Sequence, residues 1–199
     1  MIGLIVGGGI LLILILLFVI GSSAKNNSNS VYNDSLAFDE QNQYVGETIT
    51  IIHKDFKAIM KADWVENETS SSISSNIAYT PPGVVYGDAN GEYIYVAIGS
   101  LGGETYTLNE LSNLLIEMSN ESLPNFELIS SSDEEGKGIV GKEIKYTISS
   151  NGNKLNFVEF FGMKYNLLYT VTYICPVGNC NYYPVYNVFI ESFEPIEAK

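Results

Sequence analysis

Hydrophobic positions change their period several times along the chain, and each change marks a part of it. Residues 2–20 carry no polar side chain. A helix over that run rises about 30 Å, the thickness of a bilayer core, so residues 1–21 are predicted to form a transmembrane anchor or signal segment. Residues 22–46 are rich in Ser, Asn and Asp, with scattered apolar residues only. That composition cannot bury a core and reads as a flexible polar stalk. Periodic patterns return from Glu47, so a single folded domain is expected over residues 47–199.

Phe56, Ala58, Met60, Ala62 and Trp64 alternate with Lys57, Ile59, Lys61 and Asp63, which predicts a strand with one buried face. A return strand is expected over 72–79, ended by Pro81-Pro82-Gly83. Asn90-Gly91 signals a turn before a strand from Tyr93 to Ile98. The period then lengthens. Leu108, Leu111, Leu114, Leu115 and Met118 share one face of a helix, Thr107 with Glu110 makes its capping box, and Pro124 marks its exit.

The second half reads as a meander. A short strand, Phe126–Ser130, leads into an acidic loop, Asp133-Glu134-Glu135-Gly136. Ile144, Tyr146 and Ile148 line one strand, and Ser150–Asn153 turns the chain into Leu155–Phe161. Gly162-Met163-Lys164 is expected to turn it again, into a long strand with Tyr165, Leu167, Tyr169, Val171 and Tyr173 on one face. Pro184 suits an early position in a closing helix, packed down by Val185, Tyr186, Phe189, Ile190 and Phe193. The sum is an α+β domain, an antiparallel sheet of about six or seven strands flanked by helices.

The order of these elements resembles PsbP-like domains. The likeness rests on Phe56-Lys57-Ala58-Ile59-Met60 leading to Asp63-Trp64, on Gly141-Lys142-Glu143-Ile144-Lys145-Tyr146, and on Phe157–Phe161. It continues through Lys164-Tyr165 to Tyr173 and the helix ending in Glu191-Ser192-Phe193. It covers residues 47–195. Where family members often carry Pro before the Asp-Trp step, this chain has Lys61-Ala62. The resemblance implies an α/β/α sandwich on an antiparallel sheet and an accessory or binding module without catalysis, and it transfers no functional residue.

Charge narrows the function classes. Ten basic residues, all Lys, stand against 23 acidic ones for a net charge of −13. Nucleic-acid binding needs a basic patch to neutralise phosphates, so it is excluded. One His and two Cys leave little for a metal cage or a His-dependent triad. Gly-x-Ser-x-Gly, Gly-x-Gly-x-x-Gly, the P-loop and His-Glu-x-x-His are all absent. Cys175 and Cys180 can close a disulfide, stay as free thiols, or supply half of a zinc site; the short Pro- and Gly-containing loop between them favours the disulfide. Asp88-Ala89-Asn90-Gly91-Glu92 starts like a calcium loop, but its twelfth position is Gly99, so a hairpin turn is expected. The acidic loop could hold a hard cation or a basic partner and reads first as solvated. His53 has no predicted partner for general-base work. Trp64 and the Tyr residues could stack on a sugar or a peptide and, at strand spacing, read first as core and sheet surface. No cofactor and no metal site is expected.

The apolar run is longer than a signal-peptide core, and no Lys precedes it. Ser22-Ser23-Ala24 nevertheless offers small residues to a signal peptidase, so cleavage stays open beside an uncleaved anchor. Gly3 and Gly7 stand in the spacing that lets two membrane helices approach. Lys25 argues for a cytoplasmic domain. The cysteine pair and four acceptor sequons, at Asn26, Asn33, Asn67 and Asn120, argue for an outward one. The expectation is a single-pass cell-membrane protein with its domain outside. It would act as a non-enzymatic accessory or binding protein, with another membrane or surface protein as partner. The alternative is a binder of a small ligand or metal ion at a cleft or at the acidic loop.

Overall fold

The computed structural model describes residues 46–69, 72–73, 79–80, 83–87, 92–100, 105–150, 152–178, 180 and 183–197. The expected span 2–20, the stalk up to residue 45, and the turns at Pro81-Pro82 and Asn90-Gly91 lie outside them. Among the described residues no helix is long and apolar enough to cross a membrane.

Strands β1 (Thr48–Ile52) and β2 (Phe56–Lys61) come first, followed by β3 (Val65–Thr69), β4 (Ser72–Ile73), β5 (Tyr79–Thr80), β6 (Gly83–Gly87) and β7 (Tyr93–Ser100). Helix α1 (Leu108–Ser122) separates these from a meander of β8 (Glu127–Gly136), β9 (Ile139–Ser150), β10 (Asn153–Lys164) and β11 (Leu167–Pro176). Helix α2 (Tyr183–Ser192) and β12 (Glu194–Pro195) close the chain. Seven strands make one antiparallel sheet in the order β3-β6-β7-β11-β10-β9-β8. A second sheet, β1-β2-β12, has three strands, and β4 pairs with β5.

The large sheet is covered on both faces. On one, Ile144, Tyr146, Ile148, Leu155, Phe157, Phe161 and Ile174 pack under Leu111 and Leu115 of α1. On the other, Ile94, Val96, Val158, Phe160, Tyr169, Val171 and Tyr173 pack with Val185, Tyr186, Phe189 and Ile190 of α2. The inner face of β2 (Phe56, Ala58, Met60) closes over the same helix. Strands covered on both sides carry apolar residues at consecutive positions, which is why β11 is buried at eight successive residues. α1 starts at the expected capping box: Thr107 Oγ1 accepts from the Glu110 N–H at 3.2 Å, and Glu110 Oε2 accepts from the Thr107 N–H at 2.8 Å. Its most buried stripe is Leu111, Ser112, Leu115 and Ser119, with Leu108, Leu114 and Met118 on the flanks.

Three expectations are corrected. The acidic run is not a loop: β8 continues through Asp133–Gly136, paired with Ile139–Lys142, and the chain turns at Lys137-Gly138, where Gly138 has φ +83°. The turn after β10 falls at Tyr165-Asn166 rather than Gly162–Lys164, so Tyr165 is no part of β11. Both turn residues have positive φ, 52° and 61°, as a tight two-residue hairpin requires. Gly162 sits in the strand beside Gly141, where space is the constraint: a Cβ on Gly141 would lie 2.2 Å from the Phe161 carbonyl oxygen. Finally, the first strand stops at Lys61 and belongs to the small sheet, and Trp64 is buried just beyond it.

Candidate functional site

Three glutamates are buried against the large sheet: Glu92, Glu143 and Glu159 are 0 %, 5 % and 2 % exposed. An unpaired carboxylate in such surroundings is costly, and each of the three meets a tyrosine hydroxyl. On the α2 face, Tyr173 donates to Glu92 Oε2. Tyr186, on α2, donates to Glu143 Oε2 at 3.0 Å. Lys145 Nζ stands 3.3 Å from Glu143 Oε1 and 5.1 Å above the Tyr183 ring. The rings of Tyr173, Tyr183 and Tyr186 lie 5.8–6.1 Å apart and join the two couples into one cluster. Burial raises the Glu143 carboxyl above its ordinary range, against the opposing pull of Lys145.

The third couple is on the α1 face. Tyr146 donates to Glu159 Oε2 at 3.1 Å while its ring stacks on Phe157 at 5.1 Å. Glu159 Oε1 has no hydrogen-bond partner. Burial pushes this carboxyl up to about 7, and burial together with Glu159 pushes the Tyr146 hydroxyl well above its usual value. Glu159 lies opposite Ile144, one position from Glu143, so the two carboxyls point to opposite faces of the sheet. They cannot act on one substrate as an acid and base pair. Sequence reasoning missed all three couples, although for Glu159 alternation carried the signal: Phe157, Glu159 and Phe161 fall on one face of one strand.

The residues singled out from sequence are dispersed. Cys175 and Cys180 are brought to bonding distance, with sulfurs 1.95 Å and Cα atoms 5.2 Å apart, at the corner between β11 and α2. Asn156 Nδ2 donates to Cys180 Sγ at 3.1 Å. His53 packs on Phe56 with ring centroids 4.9 Å apart, and its Nδ1 accepts from the Asp55 N–H at 3.3 Å. Trp64 is core. Glu92 accepts from Tyr173 inside the protein instead of facing a calcium loop; residues 88–91 lie outside the described part. Asp133 pairs with Lys142 at 2.8 Å on β8. Among the described residues no three His, Cys, Asp or Glu side chains are grouped to hold a metal ion. Asn67 lies in β3 and Asn120 is exposed near the end of α1, while Asn26 and Asn33 fall outside the described residues.

This architecture, an antiparallel sheet with a helix on each face, is a PsbP-like fold. The cyanobacterial PsbP of Synechocystis superposes with a TM-score of 0.54 at 13% identity, over 75% of this chain and 92% of that one. LpqN of Mycobacterium tuberculosis, a protein involved in cell envelope biogenesis, gives 0.50 at 14% identity over 76% and 91%. PA94 of Pseudomonas aeruginosa, of unknown function, gives 0.50 at 13% identity over 76% and 99%. At these identities the likeness is one of fold. No protein-family model and no curated protein matches the chain.

Proposed function

We propose that the chain is a non-enzymatic accessory or binding protein, held in the cell membrane by residues 2–20 as a single-pass anchor, with its domain outside. The observation that carries this reading is the use made of the buried polar groups. Each buried glutamate is tied to a tyrosine hydroxyl, and the couples divide between opposite sheet faces. The cluster on the α2 face ties its two carboxylates to Tyr173 and Tyr186, with Lys145 beside Glu143, as a satisfied buried network. Contact with other molecules then falls to the surface. The uninterrupted apolar run supports the anchor. The cysteine pair at bonding distance supports an oxidising compartment, and the envelope role of LpqN is in keeping with such a setting.

Affinity isolation of the tagged full chain from mildly solubilised membranes tests the reading. A partner recovered in fixed stoichiometry, and lost at high detergent, is the expected result. A chain that fractionates alone from native membranes contradicts it.

A further inference from the structure

The seven-stranded sheet ends in β8, and among the described residues nothing pairs with its outer edge. We propose that this edge is the binding surface, and that it takes an extended peptide segment with basic ends and a β-branched centre as an added strand. The inference rests on the reading of the domain as a binding protein and names the surface and the partner's chemistry.

Three observations converge on it. The first is length. Residues Glu127–Asp133 are exposed in unbroken succession, so the strand is open to solvent over about 23 Å at 3.3 Å per residue, with Ser131 meeting Ser112 of α1 at 3.2 Å on one face. A long exposed edge offers a row of free N–H and C=O groups to another strand. The second is the apolar step at its start, where Leu128 and Ile129 are 45 % and 36 % exposed beside the bulge between Leu128 and Ser130. The third is charge. Glu127 stands at one end of the exposed stretch, and Asp133, Glu134 and Glu135 at the other. Lys154 and Lys142 answer only Glu127 and Asp133.

The charges also decide between occupants. An antiparallel pairing of two β8 strands, centred between Ser130 and Ser131, sets Glu127 opposite Glu134 and Leu128 opposite Asp133. Like charges facing across strands destabilise the pair, so a second copy of this chain is disfavoured. A segment with Lys or Arg at both ends places cations against both acidic ends and leaves β-branched residues over Leu128 and the serines.

The test uses the full chain in detergent and the octapeptide Lys-Lys-Val-Thr-Val-Thr-Lys-Lys. Binding is compared with the same peptide carrying an N-methyl group on every backbone amide, which keeps its charge and removes its backbone donors from both edges. Two chain variants are compared, Ile129→Lys on the edge and Ile52→Lys on the exposed end of β1, which change the net charge equally. The inference requires binding that the N-methylated peptide loses. It also requires binding that Ile129→Lys weakens by about tenfold or more, equivalent to about 1.4 kcal/mol, while Ile52→Lys changes it less than about twofold. Equal binding of both peptides, equal weakening by both variants, or no binding overturns it. If it is overturned while the affinity isolation still recovers a partner in fixed stoichiometry with Ile129→Lys, the binding-protein reading stands on another surface. If neither experiment finds a partner, both readings fall.

Discussion

Replacing Glu159 by Gln should stabilise the protein above neutral pH and leave it nearly unchanged under mildly acidic conditions. The carboxyl is buried, and Tyr146 supplies its single hydrogen bond, to Oε2. Its folded pKa is about 7 against an ordinary value of 4.5. A raised pKa means that the folded state prefers the protonated form. The favourable contribution is therefore complete below about pH 4.5, falls as pH rises, and is gone above about 7. At 1.36 kcal/mol per pKa unit, the shift corresponds to about 3 kcal/mol. Gln is neutral at every pH and keeps an acceptor for the Tyr146 hydroxyl. The variant should thus lie within about 1 kcal/mol of the wild type at pH 5 and exceed it by about 2–3 kcal/mol at pH 8. Glu143, whose carboxyl is also raised, titrates equally in both proteins and cancels in the difference. Urea unfolding of the detergent-solubilised chain, followed by fluorescence of Trp64, the single tryptophan and a buried one, reads the difference directly. A stability difference that stays constant from pH 5 to 8 would refute the placement of an ionisable Glu159 inside the sheet.

Leu115→Ala, under α1, should cost about 2–5 kcal/mol through lost burial and a cavity; a cost under about 0.5 kcal/mol in the same unfolding assay would mean that the helix presents another face. Gly141→Ala should destabilise by more than about 2 kcal/mol, because the Phe161 carbonyl occupies the space of the new Cβ and backbone cannot swing aside; normal unfolding of this variant would contradict the close approach of β9 and β10. Cys175 and Cys180 should resist alkylation in native material until a reductant is added, as mass spectrometry would record; two alkylated cysteines before reduction would count against the bridge and the exported setting.

The parts of the fold written in local pattern were legible in the sequence. The capping box at Thr107 and Glu110 specifies a helix start within four residues, and β2 alternates because one of its faces is core. Tyr186, Phe189 and Ile190 mark α2 by their spacing alone. What escaped depends on partners distant in sequence. β12 is two residues long and exists through its pairing with Lys57 and Phe56, and nothing in Glu194-Pro195 signals it. The acidic end of β8 lacks alternation because an edge strand exposed on both faces has no need of it, so Asp133–Glu135 read as a loop. Gly162 carries the local signature of a turn residue, while its role is to sit beside Gly141 where side chains do not fit. One buried glutamate was legible in principle: Glu159 shares its strand face with Phe157 and Phe161, and an inward carboxyl in such a row signals a buried partner. The partnership with Tyr146 needs the register of β9 on β10 to be seen.

The proposed position of the domain outside the membrane is the premise shared by the proposed anchor, the cysteine bridge and the proposed accessory role. A membrane-impermeant amine reagent applied to intact cells, followed by mass mapping of the exposed Lys54 and Lys137, tests it most directly. With the domain outside, both lysines are labelled before lysis to the extent reached after it. Labelling that appears only once the cells are broken would contradict it.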